Sequence, residues 1–138
     1  MIPKKVFLDA NILFSVAYGS PGLRQLKELS DTGVCELIAS EYVIEEARRN
    51  VDSLKQQETP KRFLKGVRIV SEADPSIPCP IPLPEKDRPV LLAALISKAD
   101  ILVTGDITHF GPYFGKRIQK LKICTARNLI DAFSGNIS

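Results

Sequence analysis

Lys5-Val6-Phe7-Leu8-Asp9-Ala10-Asn11 runs a short apolar stretch into an acid and an amide, and Ile101-Leu102-Val103-Thr104-Gly105-Asp106 does much the same far along the chain. A brief run of apolar residues that stops at a polar one is the profile of a strand buried on both faces, as in a parallel sheet. Working outward from these two, Val34–Ile38, Val67–Val70 and Lys122–Cys124 have the same character. Helix signals fill the stretches between them. Ser20-Pro21 supplies a cap and a first-turn proline, Leu23, Leu26 and Leu29 a stripe, and Gly33 a stop. Ser40 caps a second helix with Val43, Ala47 and Val51 on one face. Pro60 introduces a short third helix, Asp87 to Lys98 forms a strongly apolar fourth, and Thr125 caps a last one over Ala126–Phe133. Pro75, Pro78, Pro80, Pro82 and Pro84 demand an extended connection before the fourth helix. Five strands alternating with helices predict an α/β chain, its parallel sheet covered on both faces. The strand order is not legible in this pattern. In the order 3-2-1-4-5 the winding would reverse between strands one and four, which is where such sheets bind ligands.

Composition sets wide bounds. The length of 138 residues fits a single domain over residues 1–138, able to bury a core without staples. Hydrophobic and charged fractions of 44% and 25% are those of a soluble globular protein. No apolar run is long enough for a membrane span, and the first residues do not read as a signal peptide. Cys35, Cys79 and Cys124 are too scattered for a metal knot, and two lie in apolar segments as small core residues, which fits a reducing cytoplasm. A net charge of +3 permits nucleic-acid binding without requiring it.

The acids carry the chemical reading. Asp9 and Asp106 each follow a strand, so adjacent strands one and four would send both carboxylates into one crevice. Asp87 opens the helix leading to strand four, which a right-handed crossover starts on the same edge. Glu45 and Glu46, in the helix after strand two, compete for a fourth place pointing toward strand one. Each acid alone has a plainer role as a cap or turn residue, and N-capping accounts fully for Asp87. Grouped carboxylates repel one another unless cations join them. Magnesium and manganese prefer oxygen ligands and share phosphate oxygens, so the grouping suits hydrolysis of a phosphate ester.

These segments resemble the motifs of PIN domains. Phe7-Leu8-Asp9-Ala10-Asn11-Ile12-Leu13 is similar to the opening motif, Ser40 to Ala47 to the second, Lys86 to Leu95 to the third and Ala99 to Asp106 to the fourth. The resemblance selects Glu46 over Glu45 and implies the sheet order 3-2-1-4-5 in an α/β/α sandwich. It also implies catalytic and metal-holding roles for Asp9, Glu46, Asp87 and Asp106, with Mg2+ or Mn2+ as cofactor and RNA as substrate. Many such chains are VapC-like toxins held by a small antitoxin, and homodimers are common among them. Asn11 would orient Asp9 or a bound water, and Thr104 would bond a carboxylate or phosphate. Ala10 replaces a frequent threonine, and Ile107-Thr108-His109-Phe110 after Asp106 offers no further acid, so any second metal would have fewer ligands. His109, the sole histidine, is expected in a loop or packing role. Among the basic groups, Lys116, Arg117 and Lys120 follow strand four and are the best RNA candidates if they flank the crevice.

Asp9 alone would also suit a phosphatase with an aspartyl nucleophile, but that chemistry wants an acid two residues on, where Asn11 stands. A phospho-accepting receiver domain would need further acids near the N-terminus, and Met1 to Lys5 has none. The remaining alternative is a catalytically silent PIN-like RNA-binding or scaffold protein.

Overall fold

The computed structural model describes residues 4–16, 21–50 and 63–135. Expectations resting on Ser20, Val51 and Pro60 lie outside these residues. The elements run β1 (Lys4–Leu8), α1 (Ala10–Val16), α2 (Pro21–Asp31), β2 (Cys35–Ser40), α3 (Glu41–Arg49), β3 (Val67–Val70), α4 (Arg88–Ile96) and β4 (Ile101–Val103). Then come α5 (Ile107–Phe110), a 3-10 turn (Gly111–Tyr113), β5 (Arg117–Ile118), β6 (Leu121–Cys124) and α6 (Ala126–Gly135).

One sheet holds all the strands, in the order β3-β2-β1-β4-β6-β5. β3, β2, β1, β4 and β6 run parallel. The expected five-stranded order is therefore present, with one correction. A sixth strand, β5, pairs antiparallel with β6 through Ile118↔Leu121 at the sheet edge. The hairpin turns at Gln119, whose φ of 57° is left-handed. Sequence reading missed it because the turn lacks the Asn-Gly or Asp-Gly signal that usually marks so tight a reversal.

Consecutive residues of the central strands are buried: Val6, Phe7 and Leu8 in β1, and Leu37 through Ser40 in β2. Side chains alternate between the two faces of a strand, so unbroken burial means both faces are covered. α1 packs on α3, α2 on α6, and α4 on both α3 and β2. Val90 to Ala94 of α4 are all buried, which explains why that helix is apolar all round. Each leucine sealed there contributes roughly 2 kcal/mol of transfer free energy. Ser40 Oγ accepts the Val43 N–H at 3.4 Å and caps α3, while Thr125 Oγ1 accepts the Asn128 N–H at 3.1 Å before α6. Cys35 and Cys124 are free and buried, and burial pushes each thiol up to about 11. Among the described residues no helix is long and apolar enough to cross a membrane.

Candidate metal centre at the carboxyl edge of the sheet

The register builds the site. Leu8 pairs with Val103, and the Asp9 N–H bonds Val103 O at 3.0 Å, so Asp9 and Thr104 leave neighbouring strands side by side. Thr104 Oγ1 donates to Asp9 Oδ2 at 2.8 Å and accepts the Asp106 N–H at 3.1 Å. Asn11 spans the same gap. Its Oδ1 accepts the Gly105 N–H at 2.8 Å, and its Nδ2 lies 3.3 Å from both Asp9 Oδ2 and Thr104 Oγ1. Asn11 Oδ1 lies close over Gly105, where an added Cβ would stand 3.4 Å from it, in ordinary contact. Asn11 and Thr104 together lock the first strand-to-helix turn against the fourth.

Asp9, Glu46, Asp87 and Asp106 line one open cleft of about 420 Å³, with Asn11, Asn50, Lys86, Gly105, Thr108 and His109 among its walls. Glu45 and Glu46 separate as neighbours on a helix must. Glu46 faces the cleft, while Glu45 pairs with Arg48 at 3.7 Å on the exposed side. Tyr42, earlier in α3, donates its hydroxyl to Lys86 O at 2.7 Å and so pins the chain just before Asp87.

The cap roles fall differently from the simplest sequence reading. Asp87 occupies the N-cap position of α4, yet its side chain makes no capping bond. Asp106 does cap, its Oδ1 accepting the His109 N–H at 3.0 Å. His109 was the residue that sequence reading undervalued. Its Nδ1 stands 2.8 Å from Asp106 Oδ2 and 3.0 Å from Asp87 Oδ2. A ring nitrogen carries at most one hydrogen, and of the two contacts the one with Asp106 has hydrogen-bond geometry. Asp87 Oδ2 is left buried without a hydrogen-bond partner among the described residues. The available signal was spacing: three residues after an N-capping acid, a side chain folds back over the same turn.

Burial is the main force raising Asp9 to about 6, with the Glu46 and Asp87 charges adding to it and the Thr104 and Ala10 hydrogen bonds opposing it. Asp87 is also raised, by burial first and then by the Asp106 charge, against His109 and Lys86. Burial presses Asp106 upward too, but its bonds from the His109 backbone and ring, with the charges of His109 and Lys86, hold it below the ordinary carboxylate value. Such a cleft disfavours its own negative charge, which a divalent cation would relieve. The donor set fits one. Asp87, Asp106 and His109 each offer a ligand atom within 4.8 Å of the others, and the orphaned Asp87 Oδ2 stands 3.0 Å from His109 Nδ1.

The basic groups lie elsewhere than expected. Arg117 pairs across the hairpin with Lys122, and the Lys122 N–H bonds Asp100 O at 3.0 Å, at the amino end of β4. Arg117 and the adjoining Lys120 therefore sit toward the opposite edge of the sheet from the acids, and Lys116 is not part of the cleft wall. The cation that does line it is Lys86.

Fold and site together define a PIN-like α/β/α architecture with acids gathered at the carboxyl edge of its parallel strands. A chain in the crystal structure of VapBC2 from Rickettsia felis, bound to a DNA fragment from their promoter, shares this fold with a TM-score of 0.64. The two are 18% identical, over 88% of this chain and 98% of that one, a likeness that speaks to fold alone. No protein-family model and no curated protein matches the sequence.

Proposed function

We propose that this chain is a metal-dependent endoribonuclease that hydrolyses RNA phosphodiester bonds, and that it serves as the toxin of a VapBC-type pair with a small antitoxin as partner. The observation that carries the nuclease reading is the meeting of Asp9, Glu46, Asp87 and Asp106 in one cleft, although they come from separate stretches of the chain. The shared fold with a chain of a VapBC2 structure supports the toxin-antitoxin setting.

Asp9, Glu46, Asp87 and Asp106 would hold Mg2+ or Mn2+. A bound ion of that kind supplies charge neutralisation at the phosphate and a more acidic water. Asp9 is kept in a fixed orientation by Thr104 Oγ1, Asn11 Nδ2 and the Ala10 N–H, so an oxygen presented to the cleft does not have to be ordered on binding. Lys86 offers a positive charge to a phosphate entering the open side.

Single-turnover cleavage of an end-labelled single-stranded RNA, with manganese or magnesium and with EDTA, tests the reading. EDTA should abolish cutting, and Asp9→Asn should slow it about a hundredfold or more. A variant that cuts as fast as the wild type would end the proposal. Metal and RNA binding without turnover by the wild type would favour a silent scaffold instead.

A further inference from the structure

Magnesium sites in proteins are built from oxygen. One of the ligand atoms gathered here is nitrogen. His109 Nδ1 lies 2.8 Å from Asp106 Oδ2 and 3.0 Å from Asp87 Oδ2. Around a six-coordinate ion with bonds of about 2.1 Å, neighbouring ligand atoms stand about 3 Å apart. Both spacings fit adjacent positions on one ion. Hydrogen bonding accounts for only one of them: the contact with Asp106 is such a bond, while Asp87 Oδ2, on a residue only 8% exposed, goes without.

We propose that Asp87, Asp106 and His109 form a cation position with Nδ1 as a direct ligand, which favours a late first-row dication such as cobalt or zinc over magnesium. The proposal rests on the nuclease reading only for the purpose of the site. Its grounds are ligand chemistry: imidazole adds affinity along the series toward copper and adds little for magnesium. Binding through Nδ1 needs that nitrogen's lone pair, so the single hydrogen of a neutral ring would shift from Nδ1 to Nε2 by exchange with solvent, with no net proton released. The local fold already holds the ring in place. The His109 N–H is bonded to Asp106 Oδ1, so backbone and side chain of one residue clasp the two oxygens of one carboxylate.

The sole histidine gives a test that needs no variant. In nitrogen-15 spectra of the wild type, zinc should move the Nδ1 resonance and leave Nε2 protonated. Ligation through Nε2, or no change at zinc concentrations that saturate binding, would overturn the assignment. Calorimetric titration with cobalt chloride and magnesium chloride supplies the second arm. His109→Ala should weaken cobalt binding about tenfold or more while magnesium affinity moves less than about threefold. His109→Asp should narrow the cobalt-to-magnesium ratio further by restoring an oxygen donor. Equal losses for both ions, or none, would refute the proposal. A protein that binds zinc through Nδ1 but cuts no RNA with any ion would end the nuclease reading and leave this assignment standing. Magnesium-supported cutting with a silent His109 would do the reverse.

Discussion

The two ends of the parallel strands are chemically opposite. At the carboxyl ends, Asp9, Asp106, Asp87 and Glu46 share one cleft, and burial drives Asp9 up to about 6. At the amino ends, Lys4, Arg117 and Lys122 surround a smaller hollow of about 240 Å³ with Asp100, Asn128 and the apolar Leu129 and Phe133. Among the described residues, none of these cations is paired with a carboxylate side chain. Water screens isolated surface cations at little cost. Acids crowded into a partly dry cleft are another matter, because each one disfavours the charge of the next. The carboxyl end of the sheet is therefore the one whose arrangement needs a reason beyond stability, which a cation would supply.

The sharpest way to break this contrast is to swap acids one residue apart on α3. Glu46→Gln, inside the cleft, should lower single-turnover RNA cleavage about tenfold or more. Glu45→Gln loses only the exposed pair with Arg48 and should leave the rate within about twofold of wild type. Equal effects would mean that the cleft does not define the site.

Protons should sense the difference next. Between its ordinary 3.8 and about 6, Asp9 holds a proton in the folded chain that the unfolded chain has released. Unfolding free energy should thus fall as pH rises through that window and stay level above it, by at most about 3 kcal/mol. Asp106, held below its ordinary value, acts in the opposite sense but only at lower pH. Melting curves of the metal-free protein should show higher stability near pH 5 than near pH 7. Asp9→Asn should remove most of that slope, and a slope that survives the substitution would assign it to other groups.

The smallest effects should separate the two sets of cations. Lys86→Ala should flatten the salt dependence of RNA binding by about one phosphate contact, a change near 0.7 in logarithmic slope. Arg117→Ala combined with Lys120→Ala should leave the slope and the cleavage rate within error. If the double variant flattens it more than Lys86→Ala does, RNA runs over the amino edge and the contrast between the two ends has been drawn too strongly.

Local pattern was enough for much of this molecule. Apolar runs located β1, β4 and β6 to within a residue, since the segment buried on both faces is a short unbroken apolar run. Capping chemistry placed the starts of α3 and α6, because Ser40 and Thr125 act on backbone groups three residues away. The positions of Asp9 and Asp106 at the ends of their strands were legible for the same reason. Other features depended on distance through space. The antiparallel β5 is two residues long and owes its existence to β6, so nothing in its own sequence announces it. Asp87 has the ideal sequence position for a cap and does not use it. His109 gains its place only because α4 and α5 begin on the same edge and turn their first residues toward each other. Sequence alone determined the elements other than β5 and the acids they carry, since those follow from short-range sterics and hydrogen bonding. Which groups face one another was decided by packing, because register and crossover join residues that the chain itself keeps far apart.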